Sequence, residues 1–308
     1  MNNHSLDNHP WYEELLACPR CKVSLNTTEN RLLFCKTCQT QYSLGVQNQP
    51  DLRLNNVFTT SLLVQYDPVL CVIPEGIWQL PTLVAKYLPQ ARELSGRPQV
   101  NLKAWLLATV KPGTTVLDLG AKSNRDKALV ESLGGRYIAI EIAAADAMIL
   151  GDAHAIPLLD QSVDVVMSMS VFEHLKNPYL AAQEVWRVLK PGGHFIGIVG
   201  FLESVHGLPH GSYFHHSYLG IYTLLTASHF AVHYLATFAG WSAIHAISRA
   251  MLPGVPKRLA YLIIAPLRLM QNVLWYLYGL KSGNVAVARA TRDRILSASV
   301  HFVATRPE

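Results

Sequence analysis

The chain reads as a doubly wound α/β domain, with a small cysteine-bearing ribbon ahead of it and a helical insertion before its last strand. Three observations carry this. Four of the five cysteines fall in two C-x-x-C pairs within residues 13–55. Residues 111–240 alternate strand-like and helix-like runs, the pattern of a largely parallel sheet covered on both faces. Residues 241–294 are helical, apolar and basic, and a strand-like run follows over residues 295–305.

Composition sets the bounds. A chain of 308 residues accommodates one large α/β domain and something small beside it. Half of it is hydrophobic and 15% is charged, so a sizeable core is expected. The opening MNNHSLDNHP has no apolar run, which predicts a cytoplasmic protein with reduced thiols. The net charge of +5 is uneven. Residues 251–308 hold eight Lys/Arg and two Asp/Glu, and residues 1–250 balance to −1. A basic segment that is also apolar fits an anionic membrane surface, with peripheral attachment, better than nucleic acid. No nucleic-acid partner is expected.

In the ribbon, Cys18-Pro19-Arg20-Cys21 is followed by Cys35-Lys36-Thr37-Cys38. Each pair can form a tight knuckle aiming two sulfurs at one centre, so Cys18, Cys21, Cys35 and Cys38 are the expected ligands of a tetrahedral Zn²⁺. The alternative is a cluster of core cysteines. A four-thiolate site has no open position, which makes the zinc structural, a substitute for the core that so few residues cannot build. On "LLACPRC", the second pair and Tyr42, the segment resembles the zinc-ribbon family of methyltransferase activators. Members of that family bind and stabilise methyltransferases. Residues 56–110 read as an apolar helical linker broken by Pro68, Pro74, Pro81 and Pro89, with Cys71 as a buried hydrophobe.

The α/β domain, residues 111–308, opens with a turn at residues 111–113 and an apolar run ending at Asp118-Leu119-Gly120. A short loop, Ala121 to Asn124, leads to a helix stopped by Gly134-Gly135, then to a strand over residues 137–142 that carries Glu141. Small-residue backbone after the first strand and an acid at the end of the second are what a nucleotide-bearing cofactor needs. The loop lacks GxGxxG spacing, which counts against NAD. Farther on come Gly151-Asp152-Ala153, a strand over residues 165–169, Phe172-Glu173-His174-Leu175, a helix capped by Asn177 and Pro178, and Arg187-Val188-Leu189-Lys190-Pro191-Gly192-Gly193. Ala182, Val185, Trp186 and Leu189 form one apolar stripe of that helix.

This ordered set resembles the class I S-adenosylmethionine-dependent methyltransferases of the small-molecule branch, in which "GDA", "EHL" and "RVLKPGG" recur in that order. The resemblance covers residues 111–201. It implies a seven-strand-type Rossmann-like sheet with S-adenosylmethionine as cofactor. It also implies Asp118 and Gly120, with the loop of Ala121 and Asn124, near its methionyl part. Glu141 would sit at the ribose, Asp152 and Ala153 at the adenine, and Ser168 opposite. The family's two further glycines are here Lys122 and Asn124. Glu141 could instead be a solvated strand-end carboxylate, and Asp152 a turn former.

Methyl transfer from a sulfonium needs alignment above all, and a base only for some acceptors. His174, beside the cofactor strand, is the first candidate base, the alternative being a hydrogen-bonded histidine at a helix start. His206, His210, His215 and His216, interleaved with aromatics, follow the next strand, where this fold builds its acceptor pocket. They are expected as pocket groups rather than metal ligands, with His206 the second catalytic candidate. The H-x-x-P loop at His206 resembles that of methyltransferases acting near glycans, which points to a small-molecule, glycan or lipid-linked acceptor. On residues 258–280, Arg258, Arg268, Gln271 and Asn272 share one helical side and the large aliphatics the other. The helix could pack on the domain or lie at a membrane interface. Two rival functions stand: a cofactor-free scaffold binding another methyltransferase, and an NAD-dependent oxidoreductase.

Overall fold

The computed structural model describes residues 10–28, 32–54, 102–121, 124, 126–143, 147–204, 211–237 and 243–308. Most of the expected linker, with Cys71, lies outside these residues, as do Lys122, His206 and His210.

The ribbon carries a three-stranded antiparallel sheet of β1 (Asn26–Thr27), β2 (Leu33–Cys35) and β3 (Thr40–Tyr42). After α1 (Leu102–Thr109) comes a seven-stranded sheet. Its elements in chain order are β4 (Thr115–Leu119), α2 (Lys127–Ser132), β5 (Arg136–Glu141), β6 (Ile149–Leu150), β7 (Val163–Met169), α3 (Pro178–Val188), β8 (Leu189–Gly200), α4 (Tyr218–Ala227) and β9 (Ala231–Thr237). Four helices follow: α5 (Ala243–Ala246), α6 (Ser248–Met251), α7 (Lys257–Lys281) and α8 (Val285–Ile295). The last strand is β10 (Ser299–Thr305). The spatial order is β6-β5-β4-β7-β8-β10-β9, with β10 antiparallel to both of its neighbours. This is the doubly wound sheet that the sequence predicts.

Alternation along the strands builds two cores. Leu117, Leu119, Ile138 and Ile140 pack with Val185 of α3 and Leu224 of α4. Val116, Tyr137 and Ala139 pack with Leu106 of α1 and Val130 of α2. Helix α3 begins as predicted: Asn177 Oδ1 accepts from the Leu180 amide at 3.1 Å and Pro178 follows. It ends one residue early. Leu189 leaves the helical stripe to pair with Val163, because the Arg306 guanidinium donates to the carbonyls of Trp186 and Leu189 at 2.9 and 2.8 Å and caps the turn there. The run expected as a strand from residue 295 starts at Ser299; Asn284 caps α8, which continues through Ile295.

The ribbon is welded to the domain. Residues 15–17 run against 157–159, with Ala17 N donating to Pro157 O at 3.1 Å and Leu159 N to Leu15 O at 2.9 Å. Residues 50–52 flank β6 as a parallel edge segment: Leu150 N donates to Pro50 O at 2.9 Å and Leu52 N to Leu150 O at 2.8 Å. Lys22 Nζ meets Glu184 Oε2 of α3 at 2.6 Å, and Arg187 holds the same carboxylate at 2.9 Å. Leu16, Leu33, Tyr42 and Leu52 belong to the same buried cluster as the sheet.

Candidate functional site

Strands β4 and β7 are parallel neighbours, and the order of strand addition reverses between them: β5 and β6 are laid to one side of β4, and β7 and β8 to the other. Ligands of such sheets bind beyond the carboxyl ends of the strands at that crevice. The backbone there is unusual. Gly120 has φ +80° and donates its amide to Ile140 O at 2.8 Å. A Cβ on it would lie 2.3 Å from Val171 Cγ2, so both conformation and space require glycine. Asn124 (φ +45°) and Ser170 (φ +58°) are also left-handed. Asparagine tolerates this conformation better than most other side chains, so Asn124 can take a backbone position that otherwise favours glycine. Left-handed non-glycine residues are costly and cluster at ligand sites.

The sequence-derived residues lie at or just beyond the carboxyl ends of β4, β5, β6 and β7. Asp118 is buried in β4 and accepts the Tyr137 hydroxyl at 2.7 Å. Ala121 is buried directly after Gly120. Glu141, at the end of β5, accepts from the Ile142 amide at 2.7 Å, and the Ile142 carbonyl takes Arg53 Nη1 of the ribbon at 3.0 Å. Asp152 is buried, and its Oδ1 takes both the His154 amide at 2.9 Å and His154 Nδ1 at 2.7 Å. Burial raises the Asp152 carboxyl, but the His154 contacts outweigh it and hold the group below the usual carboxylate range. The Asn177 amide donates to His154 Nε2 at 3.1 Å, so Nδ1 is the nitrogen that donates to Asp152. Ala153 is buried beside them. Ser168, in β7 opposite Leu119, is 1% exposed and its hydroxyl has no partner among the described residues.

The turn after β7 carries the second half. His174 Nδ1 lies 2.6 Å from Gly211 O; a carbonyl can only accept, so Nδ1 donates and Nε2 is the basic atom of the neutral ring. The segment after residue 210 is strapped to this turn. Tyr213 N and Phe214 N donate to Glu173 O at 2.7 and 3.1 Å, and His216 Nε2 lies 3.4 Å from Phe172 O. His215 is exposed and His216 buried, so the structure separates two histidines that are adjacent in sequence. Burial lowers the His216 ring and keeps it neutral at pH 7.

Glu173 is the residue that sequence reasoning missed. Its side chain is fully buried and neither oxygen makes a well-formed hydrogen bond among the described residues. Burial pushes its carboxyl up to about 8; the Glu203 charge adds to the rise, and the Gly200 amide and Ser170 hydroxyl only partly oppose it. A carboxyl protonated at neutral pH beside a crevice is a mark of function. Its signal in the sequence was slight: an acid between Phe172 and His174 where a surface turn would be unremarkable.

In the ribbon, the sulfurs of Cys18, Cys21, Cys35 and Cys38 lie within 4.8 Å of one another and can hold a metal ion. Tetrahedral zinc with Zn–S of about 2.3 Å separates its sulfurs by roughly 3.8 Å, and Cys18 and Cys38 are 3.7 Å apart. The Cys21 amide donates to Cys18 Sγ at 3.3 Å, and the Tyr42 hydroxyl lies 3.0 Å from the same sulfur. These contacts stabilise a thiolate.

Residues 117–197 match the methyltransferase domain family. An uncharacterized methyltransferase of Mycobacterium leprae is 32% identical over 104 residues, 29% of this chain and 39% of that protein. The chain thus spans about two fifths of the length of such curated relatives. Among solved structures, a complex between the Haloferax volcanii Trm112 methyltransferase activator and a methyltransferase is similar at 20% identity and a TM-score of 0.47, covering 71% of this chain and 94% of that one. A Haemonchus contortus phosphoethanolamine N-methyltransferase complex is similar at 16% identity and a TM-score of 0.43, covering 71% and 56%.

Proposed function

We propose that the protein transfers a methyl group from S-adenosylmethionine to a glycan, lipid-linked or other small acceptor, and that its ribbon holds one structural zinc. The observation that carries the reading is the crevice where β4 and β7 part. It has a glycine that no other residue can replace, an asparagine doing a glycine's work, and a strand-end acid, all within a domain of the methyltransferase family. Asn124 in the left-handed conformation weighs against a cofactor-free scaffold. The missing GxGxxG spacing weighs against NAD.

When bound, the cofactor supplies an electrophilic methyl group on a sulfonium. The chain's residues bind and orient. Gly120 leaves room for close backbone approach, and Glu141 accepts hydrogen bonds from sugar hydroxyls. Asp152 Oδ2 accepts from an exocyclic amine while His154 occupies Oδ1. His174 Nε2 takes a proton from an acceptor hydroxyl or ammonium. Glu173 is a positioning residue: its carbonyl fixes the 213–214 backbone, and its protonated carboxyl leaves the buried turn uncharged.

Calorimetry tests the reading. S-adenosylmethionine and its demethylated product should bind, and NAD should not. Glu141→Ala should weaken binding by roughly 1.5–3 kcal/mol, the range for hydrogen bonds to a charged group. Unaltered affinity in that variant removes Glu141 from the site, and no heat with either ligand refutes the cofactor. The acceptor class is tested by comparing metabolites, glycans and lipids of a deletion strain with its parent. For Glu173 the folded carboxyl lies above its unfolded value of about 4.3. Its stability contribution is therefore complete below that pH and lost as pH rises through about 8. Glu173→Gln should flatten this loss between about pH 4.3 and pH 8, and an unchanged pH profile of melting shows the carboxyl is charged throughout.

A further inference from the structure

Helix α7 is built inside out. Arg268, Gln271 and Asn272 lie on its more covered side, where Asn272 Oδ1 accepts from Arg292 Nη1 of α8 at 2.9 Å. Gly279 lets α8 approach so closely that a Cβ there would lie 2.7 Å from Val285 Cα. The main packing partners of α7 are the other insertion helices, and its buried residues Ala260, Tyr261 and Ile264 belong to neither core of the domain. The opposite face carries Ile263, Leu267, Met270, Leu274 and Leu277, each 39% exposed or more, at spacings of four and three residues, with Leu262 and Leu269 flanking them. They form one stripe along a helix of 25 residues, about 37 Å long. Scattered exposed leucines need no explanation, but a continuous stripe does.

We infer that this face docks on an anionic lipid bilayer, with α7 lying in the plane of the interface. Charge complementarity selects this occupant. Lys257 and Lys281 are exposed at the two ends of the helix and Arg289 on α8. Among residues 251–308 the acids are Asp293, paired with Arg292, and Glu308. A second copy on the same face would bring two basic segments together and is disfavoured by repulsion. Tyr276 and Tyr278, both more than half exposed, have the amphipathic rings favoured at headgroup depth. Among the described residues no helix is long and apolar enough to cross a membrane, so the helix lies on the bilayer rather than spanning it. The inference does not depend on the methyltransferase reading, because its readout is lipid binding, not activity. If both hold, the acceptor is presented at a membrane surface.

Flotation of the full chain with vesicles tests it. Wild type should float with phosphatidylcholine vesicles containing about a third phosphatidylglycerol, far less with phosphatidylcholine alone, and less as salt rises. Each cation removed near the surface should lower partitioning about fivefold, so Lys257→Gln with Lys281→Gln should lower it more than tenfold. Leu269→Ser with Leu274→Ser should abolish flotation and leave the melting temperature unchanged. Three outcomes overturn the proposal. Wild type may stay at the bottom with anionic vesicles. The leucine variant may melt several degrees lower, which would mean the face is covered by the chain itself, residues 55–101 included. Sedimentation may show a dimer that the leucine variant dissociates, which would make a second copy the occupant.

Discussion

The ribbon and the α7–α8 helix pair are both additions to the same sheet, and they are attached in opposite ways. The ribbon buries its largest apolar residues against the domain: Leu16, Leu33, Tyr42 and Leu52 share one cluster with Leu117 and Val185. The helix pair has many and leaves them out, meeting α8 through Asn272, Arg292 and a glycine crossing. Hydrophobicity of a segment therefore does not say whether it is core. What decides is where its polar residues find partners. Lys22 finds Glu184 across the ribbon seam, which turns the ribbon inward. Asn272 finds Arg292, which turns the aliphatic stripe outward.

The comparison can be broken at its strongest point first. Removing the proposed zinc, or Cys18→Ser, should unfold the ribbon and destabilise the whole chain by about 5 kcal/mol or more, since metal binding is folding energy for such a module. Scanning calorimetry should show one transition lowered by roughly 10–20 °C. Two separate transitions would mean that the shared core does not couple the ribbon to the sheet. Next, Glu184→Ala leaves Lys22 and Arg187 facing each other half-buried without their carboxylate, and should cost about 2–4 kcal/mol in urea melts. A cost under 0.5 kcal/mol would make the seam ornamental. Smaller still, Arg53→Ala frees the Ile142 carbonyl beside Glu141 and should weaken cofactor binding several-fold, about 1 kcal/mol. Unchanged binding would show that the ribbon stabilises the domain without tuning the crevice. The smallest effect belongs to the helix pair: single changes such as Leu269→Ser or Leu277→Ser should shift stability by less than about 0.5 kcal/mol. A large loss there would reverse the contrast.

The sheet, the cysteine site and the crevice were legible because each rests on local pattern. Alternation gives strands, knuckle spacing gives four converging sulfurs, and Gly120 with Glu141 sits where one strand ends beside another. Other features depend on distant partners. Leu189 leaves its helix because Arg306, far along the chain, caps it. Glu173 is special because β8 and the 211–216 segment bury it. The sidedness of residues 258–280 was legible, but which side faces outward was not, since that depends on Arg292 arriving from another helix. The parallel pairing of residues 50–52 with β6 left no periodic trace in so short a run.

The position of β10 has a consequence for how the chain comes to be. It lies between β8 and β9, yet it is made after both, with residues 238–298 emerging in between. During synthesis β9 has nothing to pair with, and the outer edge of β8 stays open until the final strand threads between them. Docking of that edge is a late, long-range event, the slow kind in β topologies. A nascent chain waiting in this state would present both unpaired strand edges and the aliphatic face of α7, the surfaces that chaperones hold and aggregates recruit.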